Sequence, residues 1–70
     1  MGRYILEHYD SKGRKCLPTI EVDQPMQALT ELGKRSTLDY AFATCYLIQS
    51  NGRADVQWEL EVKEHHEIGI

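Results

Sequence analysis

The alternation of apolar and polar positions is cleanest between Tyr40 and Lys63, where two runs meet at Ser50-Asn51-Gly52-Arg53. Asn-Gly between alternating runs predicts a hairpin closed by a two-residue type I′ turn, because both residues tolerate positive φ. That turn sets Ser50 against Arg53 and fixes the register further out. Leu47 then faces Val56, Cys45 faces Trp58, Ala43 faces Leu60 and Ala41 faces Val62, all on one side of the ladder. The other side carries Tyr40, Phe42, Thr44, Tyr46 and Ile48 on one strand, with Asp55, Gln57, Glu59, Glu61 and Lys63 on the next.

The flanking segments add the remaining elements. Arg3 to Tyr9 alternates as a strand, and Asp10-Ser11-Lys12-Gly13-Arg14 is turn chemistry with Gly at the closing position. Lys15 to Val22 returns as a second strand with Cys16, Ile20 and Val22 on one face. Pro18 cannot donate to a ladder, so this strand is expected at an edge or broken there. Asp23-Gln24-Pro25 marks a helix start with Asp23 as its cap. Met26, Leu29 and Leu32 form an apolar stripe flanked by Ala28, and Gly33-Lys34-Arg35 is a stop.

Ser36 to Asp39 connects to the central hairpin, with Leu38 expected to tuck beneath it. The predicted fold is α+β, a β-β-α-β-β domain with one helix on one face of an antiparallel sheet. Its parts are a hairpin over 3–22, a helix over 24–33, the central hairpin over 40–63 and a tail over 64–70. The small residues Ala41, Ala43 and Cys45 leave room for the helical stripe, which is expected to dock against them. Ile68 and Ile70 keep a period of two that would extend an edge.

Seventy residues with 41% hydrophobic content make one domain with one small core. Two cysteines far apart, Cys16 and Cys45, read as reduced, buried thiols. No run is long enough to span a bilayer, and the opening Met1-Gly2-Arg3-Tyr4 has neither a signal segment nor the Ser or Thr that myristoylation wants where Leu6 stands. A cytoplasmic location is the expectation, within the host cell if the chain is phage-encoded.

The net charge of −3 is uneven: residues 1–35 hold six Lys/Arg against five Asp/Glu, and residues 36–70 hold two against six. The acidic half is the central hairpin and tail, the wrong sign for nonspecific nucleic-acid binding.

Candidate chemistry is sparse. His65-His66 between Glu64 and Glu67 are metal-ligand residue types, but neighbours on a strand point to opposite faces and zinc sites want other spacings. No metal or other cofactor is assigned. Ser11, Ser36 and Ser50 occupy turns, and Cys45 is expected in the core, where a thiol is inert. The chain is therefore expected not to be an enzyme.

Lys12, Arg14 and Lys15 at the first turn, with Lys34 and Arg35 at the helix end, would form a small basic patch if the two regions met. That is the alternative reading, a nucleic-acid-binding or regulatory protein. The sharper signal is the aromatic and acidic side of the central hairpin: Tyr40, Phe42, Tyr46 and Ile48 beside Asp55, Gln57, Glu59 and Glu61. A wet sheet face normally carries polar residues, and aromatics there point to an interface with a protein partner or a second copy of the chain. The competing explanation is intramolecular, with the N-terminal hairpin or the Ile68/Ile70 tail folded over the stripe. The flanking acids favour a partner with a basic surface.

In size and layout, as a tiny acidic domain poor in cysteine and without catalytic motifs, the chain resembles the accessory proteins of phages and mobile elements, such as anti-CRISPR inhibitors. That resemblance implies an inhibitor that occludes a basic, nucleic-acid-handling groove on its target.

Overall fold

The computed structural model describes residues 3–62. Its elements are β1 (Arg3–Tyr9), β2 (Ile20–Val22), α1 (Pro25–Gly33), β3 (Phe42–Ile48) and β4 (Ala54–Glu61). The strands form one antiparallel sheet in the order β2-β1-β3-β4, an α+β domain with the expected element sequence. The tail with Ile68 and Ile70, and the His65-His66 pair, lie outside the described residues. Among the described residues no helix is long and apolar enough to cross a membrane.

The first hairpin follows its chemistry. The Asp10 carboxylate accepts from the backbone N–H groups of Lys12 (2.9 Å) and Arg14 (3.0 Å), and Gly13 takes φ +81°. Pro18 breaks the return strand as expected: only Ile20–Val22 is regular, with a lone bridge from Lys15 to Tyr9 upstream. Leu6 pairs with Ile20 and Tyr4 with Val22, so these apolar residues share the helix side of the sheet. Cys16 is exposed rather than buried, whereas Cys45 is fully buried; both are free thiols.

The helix departs from expectation at its cap, its stripe and its docking site. Gln24, not Asp23, is the N-cap, and the Gln27 side chain accepts from the backbone N–H groups of Asp23 (3.1 Å) and Gln24 (3.2 Å). Ala28 is the buried helical residue and Leu32 packs against the core, while Met26 is 69% exposed and Leu29 is also exposed. The apolar stripe is thus Ala28/Leu32, one turn apart, and a small residue at its centre brings the helix close to the sheet. The helix packs on β2 and β1, not over the Ala41/Ala43/Cys45 side of the central hairpin. The short link from Val22 to Pro25 is the reason, since it returns the helix over the strands it has just left.

Other residues fill the space beside β3. Tyr40 turns inward to 5% exposure and sets its ring edge-on to His8, with centroids 4.8 Å apart at 75°. Leu17, from the loop before β2, packs on the same cluster, together with Ile20, Leu32, Trp58 and Val62. The Cys16 thiol reaches the Asp39 carbonyl at 3.5 Å, which ties that loop to the connector. Leu38 is 71% exposed and does not tuck beneath.

The central hairpin keeps the expected inner register and loses the outer one. Cys45 pairs with Trp58 and Ala43 with Leu60, but Tyr46 pairs with Val56 and Leu47 with Asp55. The turn is one residue longer than two. Gly52 N–H donates to the Gln49 carbonyl at 2.8 Å, Gln49 N–H donates to the Arg53 carbonyl at 2.8 Å, and only Gly52 has positive φ, at +88°. Asn51 instead accepts from Arg53 N–H through its side chain at 2.9 Å. A bulge then leaves Gln57 unpaired, absorbs the extra residue and restores the register.

Two stability predictions follow from this core. Leu6 is fully buried at the sheet centre, whereas Trp58 is only partly buried. Leu6→Ala should cost about 2–5 kcal/mol in urea unfolding, more than Trp58→Ala. The second concerns His8, which is fully buried with neither ring nitrogen hydrogen-bonded among the described residues. Burial, reinforced by the nearby Arg35 charge, holds its pKa below the usual 6.5. The unfolded chain therefore takes up a proton near pH 6.5 that the folded chain refuses, and stability should fall as pH drops below that value. His8→Leu should flatten this part of the pH profile of the urea midpoint.

Candidate functional site

The side of the sheet opposite the helix is the candidate site, and the strand register arranges it in rows. Tyr9, Phe42 and Glu61 form one row across β1, β3 and β4. Glu7, Thr44 and Glu59 form the next, then Ile5, Tyr46 and Val56, then Arg3, Ile48 and Ala54. Glu21 on β2 extends the Ile5 row. The N-terminal hairpin does not fold over the aromatic stripe: β1 lies beside it in the same sheet and widens it with Ile5 and Tyr9.

Of the eight residues expected here, Phe42, Tyr46, Ile48, Glu59 and Glu61 share this face. Tyr40 does not. It precedes the first regular residue of β3, so strand alternation cannot be extended back to it, and it lies in the core. The bulge moves Asp55 to the helix side, opposite Leu47, where the Arg53 guanidinium pairs with it at 3.0 Å and the Gln49 amide also donates to it. Gln57 is the unpaired bulge residue and leaves the alternation of this face. Val56 takes the place expected of the polar residues, opposite Tyr46 and 53% exposed.

A groove of about 550 Å³ lies at the Tyr9/Phe42 end of the sheet, lined by Tyr9, Gly13, Phe42, Thr44, Glu59 and Glu61 together with Ala43 and Leu60. Tyr9 was missed by sequence reasoning because strands were assigned to hairpins, and the β1–β3 pairing joins residues distant in the chain. Its phenol donates to the Glu7 carboxylate. That bond first, then burial and the neighbouring Tyr46, push the Tyr9 pKa above its ordinary value of 10. Tyr9, Glu7 and Tyr46 thus form a linked polar group within the apolar rows.

The charge of the face is uneven. Arg3 is bound to Glu21 at 2.6 Å. Among the described residues, Glu59 and Glu61 have no ion-pair partner, and both are exposed. Thr44, between Glu7 and Glu59, is buried by its neighbours. The surface therefore offers an apolar floor with two carboxylates at its β4 rim that no described residue neutralises, an arrangement suited to a cationic group that also presents apolar or planar surface.

The basic residues are mostly engaged locally. Arg14 approaches Asp10 at 3.9 Å, Lys34 pairs with Glu31 at 3.1 Å, and the Lys15 ammonium donates to the Thr19 hydroxyl at 2.8 Å. Lys12 is exposed on the turn, and Arg35 lies near His8. Among the described residues no group of three or more His, Cys, Asp or Glu side chains is placed to hold a metal ion. Comparison with protein-family models, with curated proteins and with solved structures finds no match to this chain.

The Tyr9 environment gives a direct check. In a spectrophotometric titration Tyr9 should remain protonated well above the ordinary pKa of 10, the buried Tyr40 should also titrate above it, and Glu7→Gln should bring only the Tyr9 step down toward that value. An unchanged titration in the variant would show that Glu7 does not hold the phenol.

Proposed function

We propose that this chain is a noncatalytic protein-binding module that uses the Phe42/Tyr46 face of its sheet to cover a basic surface on another protein. The observation that supports this reading most is the pairing of an apolar floor (the partly buried Ile5, Tyr9, Phe42, Tyr46 and Ile48 with the exposed Val56) with the carboxylates of Glu59 and Glu61, which have no ion-pair partner among the described residues. A face meant only for water has no use for that apolar area, and carboxylates at its rim attract and orient a cationic partner. The reading extends to an inhibitor: a module that occupies the basic groove of a nucleic-acid-handling protein blocks its substrate without catalysis. This is the mode of action implied by the resemblance to phage-type accessory inhibitors.

Capture from a host lysate followed by reconstitution with the purified partner provides the test. Phe42→Ala and Tyr46→Ala should weaken binding by tenfold or more while the fold is kept. Glu59→Lys and Glu61→Lys should slow association, most strongly at low salt. Changing Lys12, Arg14 and Lys15 together should leave binding intact, and the captured partner should lose nucleic-acid binding when the complex forms. The reverse pattern, with the basic triple inactive, the aromatic variants active and the free chain shifting labelled oligonucleotides, would replace this reading with direct nucleic-acid binding.

A further inference from the structure

Among the described residues the sheet ends in β4, whose one strand neighbour is β3. In an antiparallel ladder successive residues direct their backbone N–H and C=O groups alternately toward and away from the neighbouring strand. Val62 N–H donates to the Ala41 carbonyl at 2.9 Å, so Leu60 and Trp58 likewise point toward β3. Glu59 and Glu61 therefore direct their backbone groups to the open edge. Their side chains stand on the Phe42/Tyr46 face, opposite Thr44 and Phe42. Among the described residues, the same two residues thus combine backbone groups turned away from the β3 ladder with carboxylates that lack an ion-pair partner.

We propose that the β4 edge from Trp58 to Glu61 receives an extended segment of the partner as a fifth strand, with arginines at alternate positions of that segment. This inference rests on the protein-binding reading and names the form of the ligand. Residues directly opposite one another on paired strands share a face, so the segment's side chains opposite Glu59 and Glu61 lie beside the two carboxylates. Cross-strand pairs of opposite charge stabilise a ladder, and like charges destabilise it. Arginine suits these positions better than lysine, because its planar fork pairs with a carboxylate and stacks on the aromatic rings of the adjoining groove.

A second copy of the chain is a poor occupant of this edge. Antiparallel pairing of β4 with itself, centred near Leu60, sets Glu59 against Glu61 twice. The bulge at Gln57 ends the straight stretch and limits the edge to a short segment.

The test uses the full chain, labelled for NMR, with a short capped peptide of alternating arginine and valine as the probe. Binding should slow amide exchange at Glu59 and Glu61, while Trp58 and Leu60, already in the β3 ladder, change little. N-methylation of the peptide amides that face the edge should weaken binding about tenfold, as should Glu59→Gln combined with Glu61→Gln. A peptide with glutamate in place of arginine should not bind. The proposal is overturned by absence of peptide binding, by binding that leaves Glu59 and Glu61 exchange unaltered, by indifference to N-methylation, or by sedimentation showing dimers joined at this edge. Binding that ignores N-methylation yet is lost in Phe42→Ala removes the strand-addition inference and leaves the face as the site. Strand addition that survives Phe42→Ala and Tyr46→Ala overturns the face reading instead.

Discussion

Antiparallel pairing of β1 with β3, from Arg3 opposite Ile48 to Tyr9 opposite Phe42, is the interaction on which the other features depend. It joins two segments more than thirty residues apart and places the first hairpin and the central hairpin in one sheet. Through it Leu6 meets Cys45 and His8 meets Ala43, and all four are fully buried. Through it also Ile5, Glu7 and Tyr9 come beside Tyr46, Thr44 and Phe42. The core and the candidate site are the two faces of the same seam.

A nine-residue helix cannot cover a four-stranded sheet, and the way the uncovered part is handled gives the molecule its character. Over β2 and β1 the helix buries Ala28 and packs the partly buried Leu32 against the core. Beside β3 the filling is done by Tyr40, Leu17 and the His8 ring, a partly polar arrangement. The His8 nitrogens are enclosed without a hydrogen-bond partner among the described residues, which costs something for the neutral ring and considerably more for the charged one. A small domain with this core should lose stability in acid for a reason distinct from its carboxylates.

On the opposite face, the bulge at Gln57 sorts the acidic residues of β4. Asp55 is turned to the helix side and neutralised by Arg53, while Glu59 and Glu61 remain on the aromatic side with no ion-pair partner among the described residues. Val56 joins the apolar rows in the exchange. The face becomes both more apolar and more sharply rimmed with charge than plain alternation along the strand would make it. Recognition of a basic partner, as proposed here, draws on that segregation: the apolar rows provide contact area and the rim provides steering.

The sequence by itself determined the order of elements, the interruption at Pro18, the helix limits near Pro25 and Gly33, and the inner pairs Cys45/Trp58 and Ala43/Leu60. These follow from local chemistry, namely turn residues, missing donors and short-range alternation. It also marked Phe42, Tyr46, Ile48, Glu59 and Glu61 as members of one face, because those residues lie within regular strand on either side of the bulge. The placements of Tyr40, Asp55, Gln57 and Val56 were decided only in the tertiary structure. Strand parity carries no information beyond the end of a strand, and a one-residue bulge reverses it, so these positions depend on where pairing starts and slips. The helix's seat over β1 and β2 and the contribution of Tyr9 to the groove were decided there too. Both depend on which strands lie side by side, and that choice is made by the burial of Leu6 and Cys45 together rather than by either segment alone.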